Sequence, residues 1–174
     1  MFSPFSHYFI PTLIWYTDVM TDHTDFMAEA LKQSRLAQKD GELPFGAVIV
    51  KDGTIISKGR CREAKRKTVL AHAEAEAVDK ACRKLGTNKL QDYTIYCTNE
   101  PCPMCAAAIF QAKIPHVVIG ASRGDLGFLR PRAIDIQVLA DDSGYDITIV
   151  RDVLKQDVVD MFAQQRKGQR SKRA

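Results

Sequence analysis

From Phe26 onward the apolar positions of this chain recur at helical spacing, with Phe26, Ala30, Leu31, Ser34 and Ala37 on one face. That spacing predicts a helix over residues 24–39, capped by Thr24 or Asp25 and ended at Gly41. The pattern then turns β-branched: GAVIV (46–50), a Lys51-Asp52-Gly53 turn and TIISK (54–58) read as a hairpin closed through Asp-Gly. Residues 59–68 are polar and basic and read as a loop. A second helix is expected over 71–85 with Gly86 as its C-terminal stop, then a strand at 93–97 (YTIYC). Pro101 is expected to open a helix over 102–112. HVVIG (116–120) has the continuous apolar run of a strand buried on both faces. Residues 122–142 carry no clear period and read as loop with some short structure. DITIV (146–150) is a last strand and 153–165 a last helix.

Helix, hairpin and then alternating helix and strand imply a mixed five-stranded sheet with helices on both faces, a three-layer α/β/α domain of the α/β class. The chain shows no internal repeat and no linker that divides it, so residues 24–165 are taken as one domain.

Composition changes this picture little: 45% hydrophobic and 26% charged residues are ordinary for a globular chain. No stretch has the 18 or so apolar residues that a membrane helix needs, so no membrane association is expected. Charge is more informative. The net charge is +4, yet Arg166, Lys167, Arg170, Lys172 and Arg173 stand together without an acid in residues 166–174. Without that basic tail the chain is nearly neutral, and such a run either touches nucleic acid or is a solvated terminus. Residues 1–19 are apolar and aromatic but lack a basic start and a small-residue cleavage site. Residues 1–23 are therefore expected to be a poorly ordered extension, with Met20 or Met27 equally able to start the chain. Five cysteines of scattered spacing suit a reducing, cytoplasmic setting, with Cys102 and Cys105 set apart as a C-x-x-C pair.

Two fragments carry chemistry: His72-Ala73-Glu74, and Pro101-Cys102-Pro103-Met104-Cys105. Each falls where the pattern turns into a helix. Cysteines three apart on a first helical turn lie on one side, and the free N–H groups there favour thiolate. One His and two Cys give a catalytic zinc its three ligands and leave one position for water. Glu74 lies near His72 in the same turn and is suited to moving protons without binding metal. Alone, C-x-x-C could be a redox pair or half of a structural zinc site. A structural site needs a fourth ligand, and Cys97 is the only local candidate. It is read as a buried strand thiol, because strand alternation gives it no reason to face the metal.

On these two fragments, and on Leu43-Pro44-Phe45-Gly46-Ala47-Val48-Ile49-Val50, the chain resembles the zinc-dependent cytidine and deoxycytidylate deaminase superfamily over about residues 25–166. It is most similar to the branch of guanine, cytosine and tRNA adenosine deaminases. The resemblance implies a cytidine-deaminase-like fold, one Zn²⁺ per chain on His72, Cys102 and Cys105, Glu74 as the catalytic proton shuttle, and a homodimer. It places Phe45 in the base pocket as a stacking wall and the backbone around Ala73 and Pro101 near the reacting atoms. One position departs from the branch: the Asn expected two residues after Gly59 is Cys61, and a thiol cannot supply an amide's paired donor and acceptor. Either another polar residue reads the ring, with Asn99 the candidate, or the substrate is an unusual one. The expected activity is hydrolytic removal of an exocyclic amine from a guanine- or cytosine-type heterocycle. The alternatives are adenosine in tRNA, to which the basic tail would contribute, and a zinc-binding protein of this fold without catalysis.

Overall fold

The computed structural model describes residues 14–127 and 129–171. Five strands form one mixed sheet in the order β2-β1-β3-β4-β5, with β1 Gly46–Lys51, β2 Thr54–Arg60, β3 Thr94–Asn99, β4 His116–Ala121 and β5 Thr148–Val150. β1 runs antiparallel to both β2 and β3, whereas β3, β4 and β5 are parallel. The hairpin turn places Asp52 and Gly53 both at positive φ, 46° and 70°. Such turns match the twist of the strands they join, which is why Asp-Gly closes β1 to β2.

Strand alternation sorts the core into two layers. Ala47 and Ile49 of β1, Ile95 and Cys97 of β3 and Val117 and Ile119 of β4 face α3 (Ala73–Leu85), α4 (Pro103–Gln111) and α5 (Ile136–Ser143). Val48, Val50, Tyr96 and Val118 face the opposite way, onto Met27 and Ala30 of α1 (Ile14–Lys39). α6 (Lys155–Ser171) joins α1 on that side through Val158, Met161 and Phe162. The three-layer α/β/α architecture expected from the pattern is the one observed.

Four local differences have physical reasons. α1 begins at Ile14, ahead of the Thr24 or Asp25 cap; of the 1–23 extension, residues 1–13 lie outside the described residues. The proline in the first turn of α4 is Pro103, not Pro101, because Cys102 is the residue that caps the helix in extended conformation. A four-residue helix, α2 (Glu63–Arg66), stands within the stretch expected to be loop. It has no buried residue of its own and is held from outside, where Ala64 N and Lys65 N donate to the buried Glu42 carboxylate at 3.1 and 2.7 Å. α5 occupies the stretch without clear period: Asp135 caps it by accepting from Val138 N, and Gly144 ends it in the left-handed conformation.

The sheet holds the helices at short range. A Cβ added at Gly59 of β2 would lie 1.9 Å from the Ala73 carbonyl oxygen and 2.6 Å from Ala77 N. Gly59→Ala must therefore push the first turn of α3 off the sheet. The expected cost is about 3 kcal/mol or more, the upper end of overpacking penalties. Chemical denaturation should show it as a lower midpoint, and the variant should bind zinc more weakly. A Gly59→Ala protein with wild-type stability would contradict the packing described.

Candidate active site

The carboxyl end of β3 leads into the turn before α4, and the loop after α2 leads into α3, so two helix N-termini meet beside the sheet. His72 is the N-cap of α3 and Cys102 the N-cap of α4, both extended and neither bonded to its own helix through its side chain. Cys105 follows in the first turn of α4. His72 Nδ1 lies 3.5 Å from Cys102 Sγ and 3.5 Å from Cys105 Sγ. Among the described residues these three are the group of His, Cys, Asp and Glu side chains able to hold a metal, with ligand atoms all within 4.8 Å of one another.

The spacing fits zinc. Bonds of about 2.3 Å to sulfur and 2.0–2.1 Å to nitrogen at tetrahedral angles put neighbouring S and N atoms about 3.6 Å apart. Cys97 does not join the group. It is fully buried on the inner face of β3, where burial pushes its thiol well above the ordinary range.

The charge state of the trio is that of a cation site. Hydrogen bonding with Cys105 draws Cys102 down to about 3, with His72 adding to the effect, while the same contact and burial push Cys105 up. His72 is pushed up to about 9, chiefly by its hydrogen bond with Cys102 and against its own burial. A divalent cation bound to a thiolate pair and an imidazole displaces those protons. Glu74 sits one residue inside α3, buried, and accepts from Cys105 Sγ at its Oε2 at 3.5 Å. Burial is the main reason its carboxyl is raised above the usual carboxylate range.

A cavity of about 190 Å³ opens onto this site, lined by Leu43, Phe45, Glu63, His72, Glu74, Asn99, Glu100, Cys102, Arg123, Leu129 and Arg132. Phe45 forms part of its wall and packs on Phe162 of α6, with ring centroids 5.2 Å apart and planes at 52°. Asn99 is buried there, its Nδ2 donating to the Ala121 carbonyl at 2.8 Å. Ala73 and Pro101 are buried but their side chains do not line the cavity, so any part they take is through the backbone. Cys61 is buried too, outside the lining, with its thiol pushed up to about 11 by burial. Thr98, next to Asn99, ties β3 to β1 and α1: its Oγ1 accepts from Gly46 N at 3.1 Å, donates to Gly46 O at 3.2 Å and accepts from Ser34 Oγ at 3.1 Å.

The motifs alone missed the charged part of the wall. Glu100 is bound by Arg151 Nη1 at 2.6 Å, and Arg151 also reaches Asp135 at 3.5 Å. Arg123, whose Nε donates to the Arg130 carbonyl at 2.9 Å, and Arg132 come from the stretch without clear period. Burial, and next the neighbouring Arg132, lower the Arg123 pKa. The density of arginine in SRGDLGFLRPR (122–132) was the one available signal.

Residues 20–121 match the model of the cytidine and deoxycytidylate deaminase zinc-binding region. The chain belongs to that family. Over 103 residues it is 44% identical to a tRNA-specific adenosine deaminase of Bacillus subtilis, covering 59% of this chain and 63% of that protein. The match therefore spans less than two thirds of that relative's length. Among solved structures, a guanine deaminase from Bacillus subtilis is 36% identical with a TM-score of 0.58, covering 71% of each chain. A guanine deaminase from Nitrosomonas europaea, 21% identical, superposes over 95% of this chain with a TM-score of 0.73, a likeness of fold.

The trio predicts the metal content. Purified protein should carry about one zinc per chain, and Cys102→Ala should lose most of it, because two ligands hold the ion far less well than three. Full zinc stoichiometry in Cys102→Ala by elemental analysis would contradict this assignment.

Proposed function

We propose that this chain is a zinc-dependent hydrolytic deaminase that replaces an exocyclic amine of a nucleobase-type heterocycle by a carbonyl and releases ammonia. The observation that carries this reading is the place of Glu74, touching Cys105 yet outside the trio, in the lining of a cavity sized for one small ring. Zinc on His72, Cys102 and Cys105 would supply Lewis acidity, lowering the pKa of water at its open position from about 15.7 toward roughly 7. Glu74 takes the proton of the attacking water and passes it to the ring nitrogen beside the carbon under attack. A second transfer, of the proton still on the added hydroxyl, through Glu74 to the amine lets ammonia leave as the carbonyl forms. Phe45, backed by Phe162, gives the ring a flat wall, and Asn99 has its Oδ1 left to accept from it.

For the substrate we favour a free base of guanine or cytosine type. The similarity to the Bacillus subtilis guanine deaminase, which covers 71% of each chain, supports this. The 44% identical tRNA-specific relative supports a second reading, adenosine in tRNA, with residues 166–174 as phosphate contacts. We take residues 24–165 as the deaminase unit, acting as a cytoplasmic homodimer. The exposed Val69 and Leu70, shortly before His72 in the sequence, supply apolar surface for a second copy. Free thiols at all five cysteines suit a reducing compartment. Among the described residues no helix is long and apolar enough to cross a membrane.

Glu74→Gln should keep zinc and fold while turnover falls by about 10²–10⁴-fold, the usual contribution of a general acid–base group. The assay is ammonia release from guanine, cytosine, adenine, isocytosine and a tRNA anticodon stem. Wild-type turnover, or loss of zinc, in Glu74→Gln would remove the role given to it.

Truncation after Gln165 separates the two substrates. A neutral ring gains nothing from distant cations, so kcat/KM for a free base should stay within a few-fold and vary little with salt. If RNA is the substrate, truncation weakens binding, and each phosphate contact on a single strand makes affinity fall by roughly 0.7 log units per log unit of salt. The first outcome is expected.

A further inference from the structure

His72 has two ring nitrogens pointing in opposite directions, and the cation site uses one. Nδ1 faces the two sulfurs; Nε2 lies 3.4 Å from Glu63 Oε1. Nothing in α3 holds the imidazole, since His72 makes no capping bond through its side chain. The ring's orientation therefore depends on what stands at Nε2. Once Nδ1 is committed to a cation, Nε2 carries the proton and needs an acceptor.

Glu63 is itself held. Its Oε2 accepts from Cys61 Sγ at 3.6 Å. Its backbone opens α2, anchored by the Glu42 carboxylate on Ala64 N and Lys65 N. Arg62 N donates to Ala71 O at 2.9 Å, tying the start of α2 to the residue before His72. Cys61 is buried and outside the cavity lining, with its sulfur against Glu63.

We infer that Glu63 is the positioning carboxylate of the metal site: it holds His72 Nε2 so that Nδ1 faces Cys102 and Cys105, and Cys61 fixes Glu63 in turn. Cys61 thus serves the metal ligand through Glu63. This rests on the trio binding zinc, and adds a residue that no motif contains.

The test uses the full-length zinc-loaded protein and reads metal, not turnover. Outer carboxylates on metal-bound histidines typically contribute 10–100-fold in metal affinity. Zinc transfer to a chromophoric chelator should be about 10–100-fold faster in Glu63→Ala than in wild type. Glu63→Gln, of equal length but uncharged, should move in the same direction by less. Cobalt(II) replacing zinc should show shifted visible bands in both variants, because the imidazole has turned or become less basic. Lys65→Ala, in the same short helix but away from His72, should match wild type in rate and spectrum. Wild-type transfer rates and cobalt spectra in both Glu63 variants would overturn the inference, even if catalysis fell, since Glu63 would then act on substrate alone. An equal effect in Lys65→Ala would overturn it too, by assigning the change to α2 as a whole. A wild-type protein that takes up no zinc would end the deaminase reading along with this one.

Discussion

The closeness of α3 to the sheet is the constraint on which the site depends. At Gly59 the Ala73 carbonyl occupies the space of a Cβ, and Ser57 Oγ donates to Ala77 O at 2.7 Å one residue pair further along β2. These contacts fix α3 on the hairpin, and thereby His72 and Glu74 at its start. The sulfurs come from elsewhere, from the helix that follows β3. Their distance from His72 is set by the ladder between β1 and β3, which aligns Ala47 with Cys97, and by the Thr98 bonds to Gly46 just beyond it. A shift of α3 by one ångström would leave the motifs intact and the ligand set too wide for zinc.

Gathering this chemistry at two helix N-termini has an electrostatic logic. Free N–H groups and the positive ends of two dipoles favour anionic sulfur there. Three acidic groups, Glu74, Cys102 and Cys105, nevertheless cannot all ionise in a buried space without a counter-charge. The opposed shifts of the two cysteines, and the raised Glu74, express that conflict. A divalent cation resolves it by taking both thiolates, and proton release on binding ties affinity to pH.

The parts legible in the sequence were those whose signals are local. The β-branched runs GAVIV and TIISK, the Asp-Gly turn and the Gly86 stop gave the hairpin and α3 with boundaries within a few residues. His72, Glu74, Cys102 and Cys105 could be found because cap positions are defined by the residues around them. What stayed hidden was set by tertiary partners. α2 exists through Glu42, which lies 22 residues before Ala64. α5 presents only Ile136 and Ala140 to the core as fully buried positions, too few to show a period. Pro101 and Pro103 both fit a helix start, and only the extended backbone of Cys102 decides between them. The departure at Cys61 was visible from the sequence, but its consequence required knowing which way the sulfur faces.

That departure separates chemistry from recognition in this chain. The reacting end of the cavity is built from groups already committed: His72 and the sulfurs to one another, Asn99 Nδ2 to Ala121, Glu63 to His72 and Cys61, Glu100 to Arg151. Committed groups hold a geometry well and adapt poorly, which suits a reaction that differs little from one amidine to another. The part of the lining that follows β4 is different. Arg123, Leu129 and Arg132 come from the segment after β4, outside the sheet and the motif helices. Substitution there can change what enters without moving a ligand of the metal, because no bond links that wall to α3 or α4 in the described residues. Family members with one zinc motif and different substrates are what such a division allows.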